Sequence, residues 1–202
     1  AKEAGIKGQM TLMYRFVPAM MRAKQLVEEG FLGQVFSFRS AYLHSGYIDP
    51  RRPISWRLDK SQGGGGALYD LGSHILDVVR YLLGDFESVY GLTEIFIKER
   101  PLLDEPDKMA KVEVDDISIL MLRMKSGAIG TLEASRLATG VNDELRIEIH
   151  GSEGAIRFNL MDPNWLEVYD NRDKEEPIGG DRGFKKIETV QRYPKPASFP
   201  GP

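Results

Sequence analysis

Apolar side chains recur at helical spacing in two segments of the chain. In Pro18–Glu29 they fall at positions 20, 21, 23, 26 and 27, and Gly30 follows. In Ala67–Leu83 they fall at 68, 71, 75, 78, 79 and 82, and Gly84 follows. Apolar residues three and four apart share one face of a helix, and glycine commonly ends a helix. The sequence therefore predicts two amphipathic helices, the second directly after the glycines Gly63–Gly66.

Most of the remaining chain has the texture of strands, rich in alternating, aromatic and β-branched residues. Strands are predicted at Gly8–Phe16 and Gln34–Leu43. After Gly84 the predicted strands are Ser88–Ile97, Val114–Met124, Ala128–Arg136, Glu144–His150, Ala155–Asn159, Trp165–Tyr169 and Phe184–Val190. Helices followed by consecutive strands predict an α+β fold with a large, mostly antiparallel open sheet and helices packed on one face.

Apolar residues are not confined to one side of the predicted strands. The positions that indicate this are Val89, Leu120, Leu122, Ile129 and Ile147. A large apolar area on the second sheet face needs a cover, and a second copy of the chain is the simplest one. We therefore expect a homo-oligomer formed through the sheet face, and a clean monomer in light scattering would count against it.

Composition narrows the class of protein. The 202 residues are 42% hydrophobic and 28% charged, as in ordinary globular proteins. The 27 basic and 30 acidic side chains give a net charge of −3, which offers no electrostatic footprint for nucleic acid or an anionic membrane. Cysteine is absent, so disulfides, thiolate metal sites and cysteine nucleophiles are excluded. No apolar run approaches the ~20 residues of a membrane span. We expect a soluble, cytoplasmic protein.

The two ends do not look like natural boundaries of a domain. Ala1–Gly5 resembles the last turn of a helix closed by glycine. Arg192–Pro202 holds four prolines in eleven residues and cannot close a core. We expect a piece of a longer protein; the alternative is a chain that has lost only a disordered start.

His74 is the strongest candidate for chemistry. Asp70 precedes it by four residues and Asp77 follows it by three, so all three are expected on roughly one helix face. A carboxylate beside an imidazole can orient the ring and stabilise its protonated form, which suits a general base. Two other interpretations stay open. Asp70 bonds locally while His74 fills a polar niche, or the pair belongs to a metal site, for which no third ligand is evident.

The other two histidines and the glycine run are weaker signals. His44 opens the polar loop His44–Ser61, where it could reach a cleft, whereas His150 precedes a glycine turn and is expected at the surface. The glycines Gly63–Gly66 do not match G-x-G-x-x-G, because the sixth position is Leu68. The chain also lacks a P-loop and a G-x-S-x-G elbow, so phosphate-loop and serine-hydrolase chemistry are unsupported.

Five motifs, in this order along the chain, resemble one family of enzymes. They are MYRFVPA at Met13–Ala19, E-x-G-x-x-G-Q-V at Glu28–Val35, SWRLDKSQGGGGALYDLGSHILDVVRYLLG at Ser55–Gly84, the pair Asp115–Asp116, and IHGSEGAIRF at Ile149–Phe158. Together they are similar to the Gfo/Idh/MocA oxidoreductases, typified by glucose–fructose oxidoreductase and inositol 2-dehydrogenase. The resemblance covers nearly all of residues 8–159.

This resemblance carries implications for domain organisation. Family members join an N-terminal Rossmann domain to a C-terminal α+β domain whose open sheet commonly mediates oligomerisation. Residues 1–18 would then be the exit from an absent Rossmann domain, and residues 19–202 a C-terminal substrate-binding and oligomerisation domain that ends short. The cofactor implied is NAD or NADP, bound mainly by the absent domain, so no cofactor-binding residue is assigned here.

The resemblance also implies site residues. The family's D-x-x-x-H maps onto Asp70 and His74 as catalytic residues, with His74 taking a proton from a substrate hydroxyl while hydride leaves the same carbon for the nicotinamide. Four positions match residues near the substrate: Tyr14, Arg15, Trp56 and Arg57. The family's E-K-P lysine is missing, since the nearest string, Glu99–Pro101, reads E-R-P. The chain alone is therefore expected to be inactive and to bind NAD(H) negligibly.

Three functions follow from these observations. The first is an NAD(P)-dependent dehydrogenase domain that binds a sugar, cyclitol or derivative as its small-molecule partner. The second is a related NAD-dependent glycoside hydrolase or lyase, and the third a non-catalytic dimerisation module. Net NADH formation with a simple polyol favours the first, and product release without net cofactor reduction favours the second.

Overall fold

A computed structural model describes residues 3–190. The α-helices are α1 (Pro18–Glu28), α2 (Lys60–Gly63) and α3 (Ser73–Leu83). The strands are β1 (Val35–His44), β2 (Phe86–Glu94), β3 (Glu99–Pro101), β4 (Met109–Lys111), β5 (Ile117–Met124), β6 (Ile129–Ser135), β7 (Asp143–Gly151), β8 (Gly154–Asn159), β9 (Trp165–Asp170) and β10 (Lys185–Glu188). Within residues 3–190, no helix has the length and apolar character needed to cross a bilayer.

Eight strands form one sheet in the order β10-β9-β8-β7-β1-β6-β5-β2, and β3 pairs with β4 in a separate hairpin. β1 runs parallel to β6, and the other neighbouring strands of the sheet are antiparallel. The amphipathic helices α1 and α3 pack on the sheet, and Ile75, Val78 and Val79 of α3 are fully buried there. The predicted α+β class and open, mostly antiparallel sheet are confirmed.

The second predicted helix is helical over its full predicted range, Ala67–Leu83, but its first part is not α-helical. Leu68–Gly72 forms a π-helical turn, and α3 begins only at Ser73. The Asp115 carboxylate caps the turn from outside: it accepts the amide hydrogens of Gly66 at 3.0 Å and Leu68 at 2.8 Å. A π turn holds an extra residue, so side chains four apart no longer lie directly above one another as in an α-helix.

The predicted strand Gly8–Phe16 is wrong. This segment has no strand partner among the described residues, and its last part, Met13–Phe16, is a 3₁₀ turn. Alternation alone does not make a strand, because the backbone groups of a strand need a neighbour to bond. Here Tyr14 is buried against the helices while Met13 and Phe16 remain exposed.

Other differences concern the ends of the chain and one short hairpin. The β3–β4 hairpin was not predicted, and its strands of three residues each are too short to show a pattern. Residues 3–5 form a turn, whereas residues 1–2 of the predicted terminal helix turn lie outside the described part. The proline-rich tail Arg192–Pro202 lies outside it as well.

Among residues 3–190, no helix covers one face of the sheet, and that face is partly apolar. Tyr90 pairs with Met121 and Leu92 with Ile119 across β2 and β5, and all four side chains are exposed. Of the positions expected to mark this face, Ile129 is exposed on it and Val89 is exposed on the edge strand β2. Leu120, Leu122 and Ile147 are instead buried in the core under the helices.

Candidate active site

A cavity of about 380 Å³ opens where the ends of β1 and β6 meet the π turn and the loop after β1. Its lining is Tyr42, His44, Gly46, Tyr47, Arg52, Arg57, Asp70, Leu71, His74 and Arg136. β1 contributes Tyr42 and His44, the π turn Asp70, and the first turn of α3 His74. Sequence-distant elements thus bring the two predicted catalytic residues into one polar cavity.

Asp70 does not pair with His74 as the i,i+4 spacing had indicated. Its Oδ2 accepts a hydrogen bond from Arg136 Nη2 at 3.0 Å and lies 3.9 Å from Arg57 Nε, and no hydrogen bond joins it to His74 within residues 3–190. Asp70 lies within the π turn rather than in α3, and its carboxylate binds Arg136 instead of the imidazole. Both side chains still face the same cavity.

His74 lines the cavity and packs against two tyrosines, one of which, Tyr42, also lines it. The imidazole ring meets Tyr14 edge-on with centroids 5.3 Å apart and Tyr42 with centroids 6.2 Å apart. Nδ1 is buried and has no hydrogen-bond partner among the described residues. Nδ1 is therefore closed to solvent, which leaves Nε2 as the nitrogen available to a ligand in the cavity. A neutral ring that accepts a proton on Nε2 carries its own hydrogen on Nδ1.

The two tyrosines that contact the imidazole are hydrogen-bonded to each other and uncharged. Their hydroxyl oxygens are 2.7 Å apart. Burial raises the pKa of the Tyr14 hydroxyl, and burial together with the hydrogen bond to Tyr14 raises that of Tyr42 further. Both hydroxyls therefore stay protonated and uncharged over the pH range in which enzymes usually work.

Arg136 was not singled out from the sequence, yet it connects most of the site. Its guanidinium donates to the carbonyl oxygens of Arg57 and Gly66, each at 3.3 Å, as well as to Asp70, and it lies 5.2 Å from the centre of the Tyr47 ring. Its side chain is only 2% exposed. A buried charge needs partners, but an arginine at the end of a predicted strand gives no sign of burial in the sequence.

A second buried arginine holds the loop after β1. Arg100, in β3, donates to the carbonyl oxygens of Tyr47, Asp49 and Arg52, and burial lowers its pKa. Because the loop supplies Tyr47 and Arg52 to the cavity, the hairpin that carries Arg100 fixes one wall of the site. This hairpin was also missed at the sequence level.

The four predicted substrate-contacting residues lie in different places relative to the cavity. Arg57 lines the cavity, Tyr14 lies behind His74, and Trp56 is 52% exposed beside a smaller neighbouring cavity. Arg15 instead forms two hydrogen bonds with Asp77, one of them 2.6 Å from Nε to Oδ2, and neither residue lines the cavity. Asp77 was expected to share the face of Asp70 and His74, and this ion pair turns it elsewhere.

The other two histidines differ in whether they line the cavity. His44 lines the cavity, as one of its interpretations allowed, with Nε2 3.1 Å from Asp143 Oδ1. His150 is paired with Glu148 at 2.8 Å and lies outside the cavity. Residues 3–190 contain no cluster of three or more His, Asp or Glu side chains arranged to hold a metal ion.

Comparison with known proteins identifies relatives of this chain. A family model described as the GFO/IDH/MocA C-terminal domain matches residues 20–157. Levoglucosan dehydrogenase of Pseudarthrobacter phenanthrenivorans is 38% identical over 96% of this chain and 51% of that protein. Myo-inositol 2-dehydrogenase of Thermotoga maritima is 32% identical over 89% of this chain and 47% of that protein.

The fold of this chain is also similar to that of a solved structure. Levoglucosan dehydrogenase in complex with NADH and levoglucosan has a TM-score of 0.86 and 39% identity, covering 94% of this chain and 49% of that one. The chain thus spans about half the length of the relatives it matches.

Proposed function

This chain belongs to the Gfo/Idh/MocA family and matches its C-terminal domain, and from that premise we propose that it is the substrate-binding and catalytic part of an NAD(P)-dependent oxidoreductase. The reaction transfers hydride from a hydroxyl-bearing carbon of a sugar, cyclitol or derivative. The observation that carries this proposal is the cavity that holds His74 and the Arg136-bound Asp70 together. Relatives named for levoglucosan and myo-inositol, both polyols, support the substrate class.

The lining suits a ligand with several hydroxyl groups. Asp70 is an acceptor that is 40% exposed, and the guanidinium of Arg57 is a donor beside it. A site built from such groups binds a polyol through paired donors and acceptors, and it rejects analogues that lack a hydroxyl because the buried groups are then left unpaired.

The proton of the reacting hydroxyl goes to His74. Nδ1 is buried, which leaves Nε2 for the substrate, and Tyr14 and Tyr42 pack against the ring. As the oxygen–hydrogen bond breaks, its proton moves to Nε2; the carbon–hydrogen bond breaks with its electron pair leaving as hydride, and the carbon–oxygen bond becomes a carbonyl. Asp70, oriented by Arg136, accepts a hydrogen bond from a neighbouring hydroxyl and fixes the substrate against the imidazole.

The dinucleotide, when bound, supplies the hydride acceptor. The glycine run and the residues after it do not fit its phosphates. The amide hydrogens of Gly66 and Leu68, at the end of the glycine run, already bind the Asp115 carboxylate, whose negative charge repels a phosphate. We expect the phosphates to be bound outside this chain, whose own part is confined to the substrate and its proton.

The experiment is a cofactor-reduction assay on the intact protein, meaning the full-length polypeptide that contains this chain. Purified protein is mixed with NAD⁺ or NADP⁺ and a panel of sugars, anhydrosugars and inositols, and the absorbance of the reduced nicotinamide is followed. We expect reduction that depends on at least one polyol. Cleavage of a glycoside without net reduction would indicate the hydrolase or lyase chemistry instead, and no turnover in either assay would contradict catalysis.

A further inference from the structure

A second, smaller cavity of about 210 Å³ adjoins the first. The two share the side chains of Arg57, Asp70 and Arg136, so a molecule held by these groups can extend from one cavity into the other. The remaining lining of the smaller cavity is aromatic or glycine: Trp56, Gly63, Gly65 and Tyr69. The proposed reaction uses neither aromatic ring.

Both rings are largely exposed at the cavity. Trp56 is 52% and Tyr69 66% accessible to solvent. Exposure of this much apolar ring surface costs free energy that burial against a ligand would return, and exposed aromatic groups around a cavity commonly mark a binding site. The Arg57 guanidinium lies over the Trp56 ring at 4.4 Å from its centre, which ties this wall to the polar groups shared with the first cavity.

Two glycines complete the lining of the smaller cavity. A Cβ at Gly65 would collide with the Tyr69 ring, and a Cβ at Gly63 would come within 3.0 Å of the Trp56 carbonyl oxygen. The Tyr69 ring therefore packs directly on the backbone of Gly65, and both glycines add only backbone to the cavity lining. The glycine run thus has a local role in the lining of this cavity, separate from any dinucleotide motif.

We propose that the smaller cavity is a subsite for a second ring of the substrate, so that the protein acts on glycosides or disaccharides rather than on free monosaccharides. This inference rests on the proposed function, since it places the oxidised ring in the cavity of His74. A pyranose has apolar carbon–hydrogen faces that stack on aromatic rings and a rim of hydroxyls for Arg57 and Asp70. The aromatic walls and shared polar edge of the smaller cavity complement both.

The test compares binding of three probes to the intact protein by isothermal titration calorimetry. Methyl β-D-glucopyranoside carries one ring, whereas cellobiose and phenyl β-D-glucopyranoside carry a second. We expect the two-ring probes to bind roughly fivefold or more tightly than the methyl glucoside, the effect of one additional aromatic contact. Tyr69→Ala should remove this advantage, and Tyr69→Phe, which keeps the ring, should retain it.

Phe96→Ala is the matched control, because Phe96 is 62% exposed and lines neither cavity. It should leave the ratio of affinities unchanged. Equal affinities for the three probes, no binding of any of them, or an advantage that survives Tyr69→Ala would overturn the subsite. Failure of the proposed function is separate: it would show as absent cofactor reduction, while the ratio of binding constants would still decide the subsite.

Discussion

At the scale of single residues, the Asp70 carboxylate is held from one side by a guanidinium that solvent barely reaches. Asp70 is 40% exposed, and Arg136 is 2% exposed. Removing one partner of such a pair leaves the other charge unpaired in a poorly solvated position, which is costly. Arg136 also binds the carbonyl oxygens of Arg57 and Gly66, so it fixes the carboxylate relative to the two neighbouring segments. We assign it a positioning role.

Arg136→Lys in the intact protein should lower kcat roughly tenfold or more, because the single ammonium of lysine cannot reach three acceptors in the planar geometry of arginine. The decisive measurement is a double-mutant cycle with Asp70→Asn. If Arg136 acts through Asp70, the lysine substitution should have little further effect on kcat once Asp70 is replaced. Fully additive losses, in variants whose thermal unfolding shows that they fold, would mean that Arg136 is structural only.

The residues of this site differ in how far the sequence revealed them. Asp70 and His74 lie close together in the chain after a glycine run, so spacing alone indicated a shared face and chemistry. Asp70 instead binds Arg136, which is 66 residues away in the sequence. Long-range packing of the sheet brings these two side chains together, and a local pattern does not reveal it. The roles of Tyr14, Trp56 and Arg57 stay predictions, and the ion pair of Arg15 with Asp77 argues for a structural role there.

At the scale of elements, the start of the site helix depends on a strand far away in sequence. Asp115, just before β5, accepts the amide hydrogens of Gly66 and Leu68 with its carboxylate and that of Ala67, at 2.8 Å, with its carbonyl oxygen. These are amides that a helix cannot satisfy internally. The cap therefore fixes the π turn, and with it the direction in which Asp70 points.

Gly66→Ala should destabilise the protein by about 1–3 kcal/mol, because the added Cβ would collide with the Asp115 backbone and force the cap apart. The free energy of unfolding in urea measures this loss. Gly8→Ala is the control, since a Cβ there meets nothing within 4 Å, and its effect should stay within about 0.5 kcal/mol. Equal stability of the two variants would contradict the close contact between the glycine run and Asp115.

Elements with a continuous buried face were predictable, and elements set by distant contacts were not. The apolar stripe of α3 and the alternation in β5 follow from burial on one side, and both elements end at the predicted residues, Leu83 and Met124. The π turn came from a cap supplied across the fold, so no local pattern announced it. Gly8–Phe16 shows the converse, because its alternation looked like a strand where no partner strand exists among the described residues.

At the scale of the whole molecule, the two faces of the sheet differ in what they carry. One face of the sheet carries the helices and, at one end, the cavity, whereas no described helix covers the other face. On that other face, apolar Tyr90 and Met121 continue along the register into the charged Arg39, Glu148 and Arg157. Contact between copies of the chain through this mixed surface stays a prediction.

The central claim is that His74 takes the proton of the reacting hydroxyl. The most direct measurement is the single-turnover rate of polyol-dependent cofactor reduction by the intact protein with His74→Gln, with the affinity for the polyol and the midpoint of thermal unfolding measured alongside. We predict a rate lower by about 10²–10⁴-fold, the usual contribution of a general base, with binding and unfolding close to those of the unmodified protein. A variant that folds, binds the polyol and turns over at the unmodified rate would contradict the account.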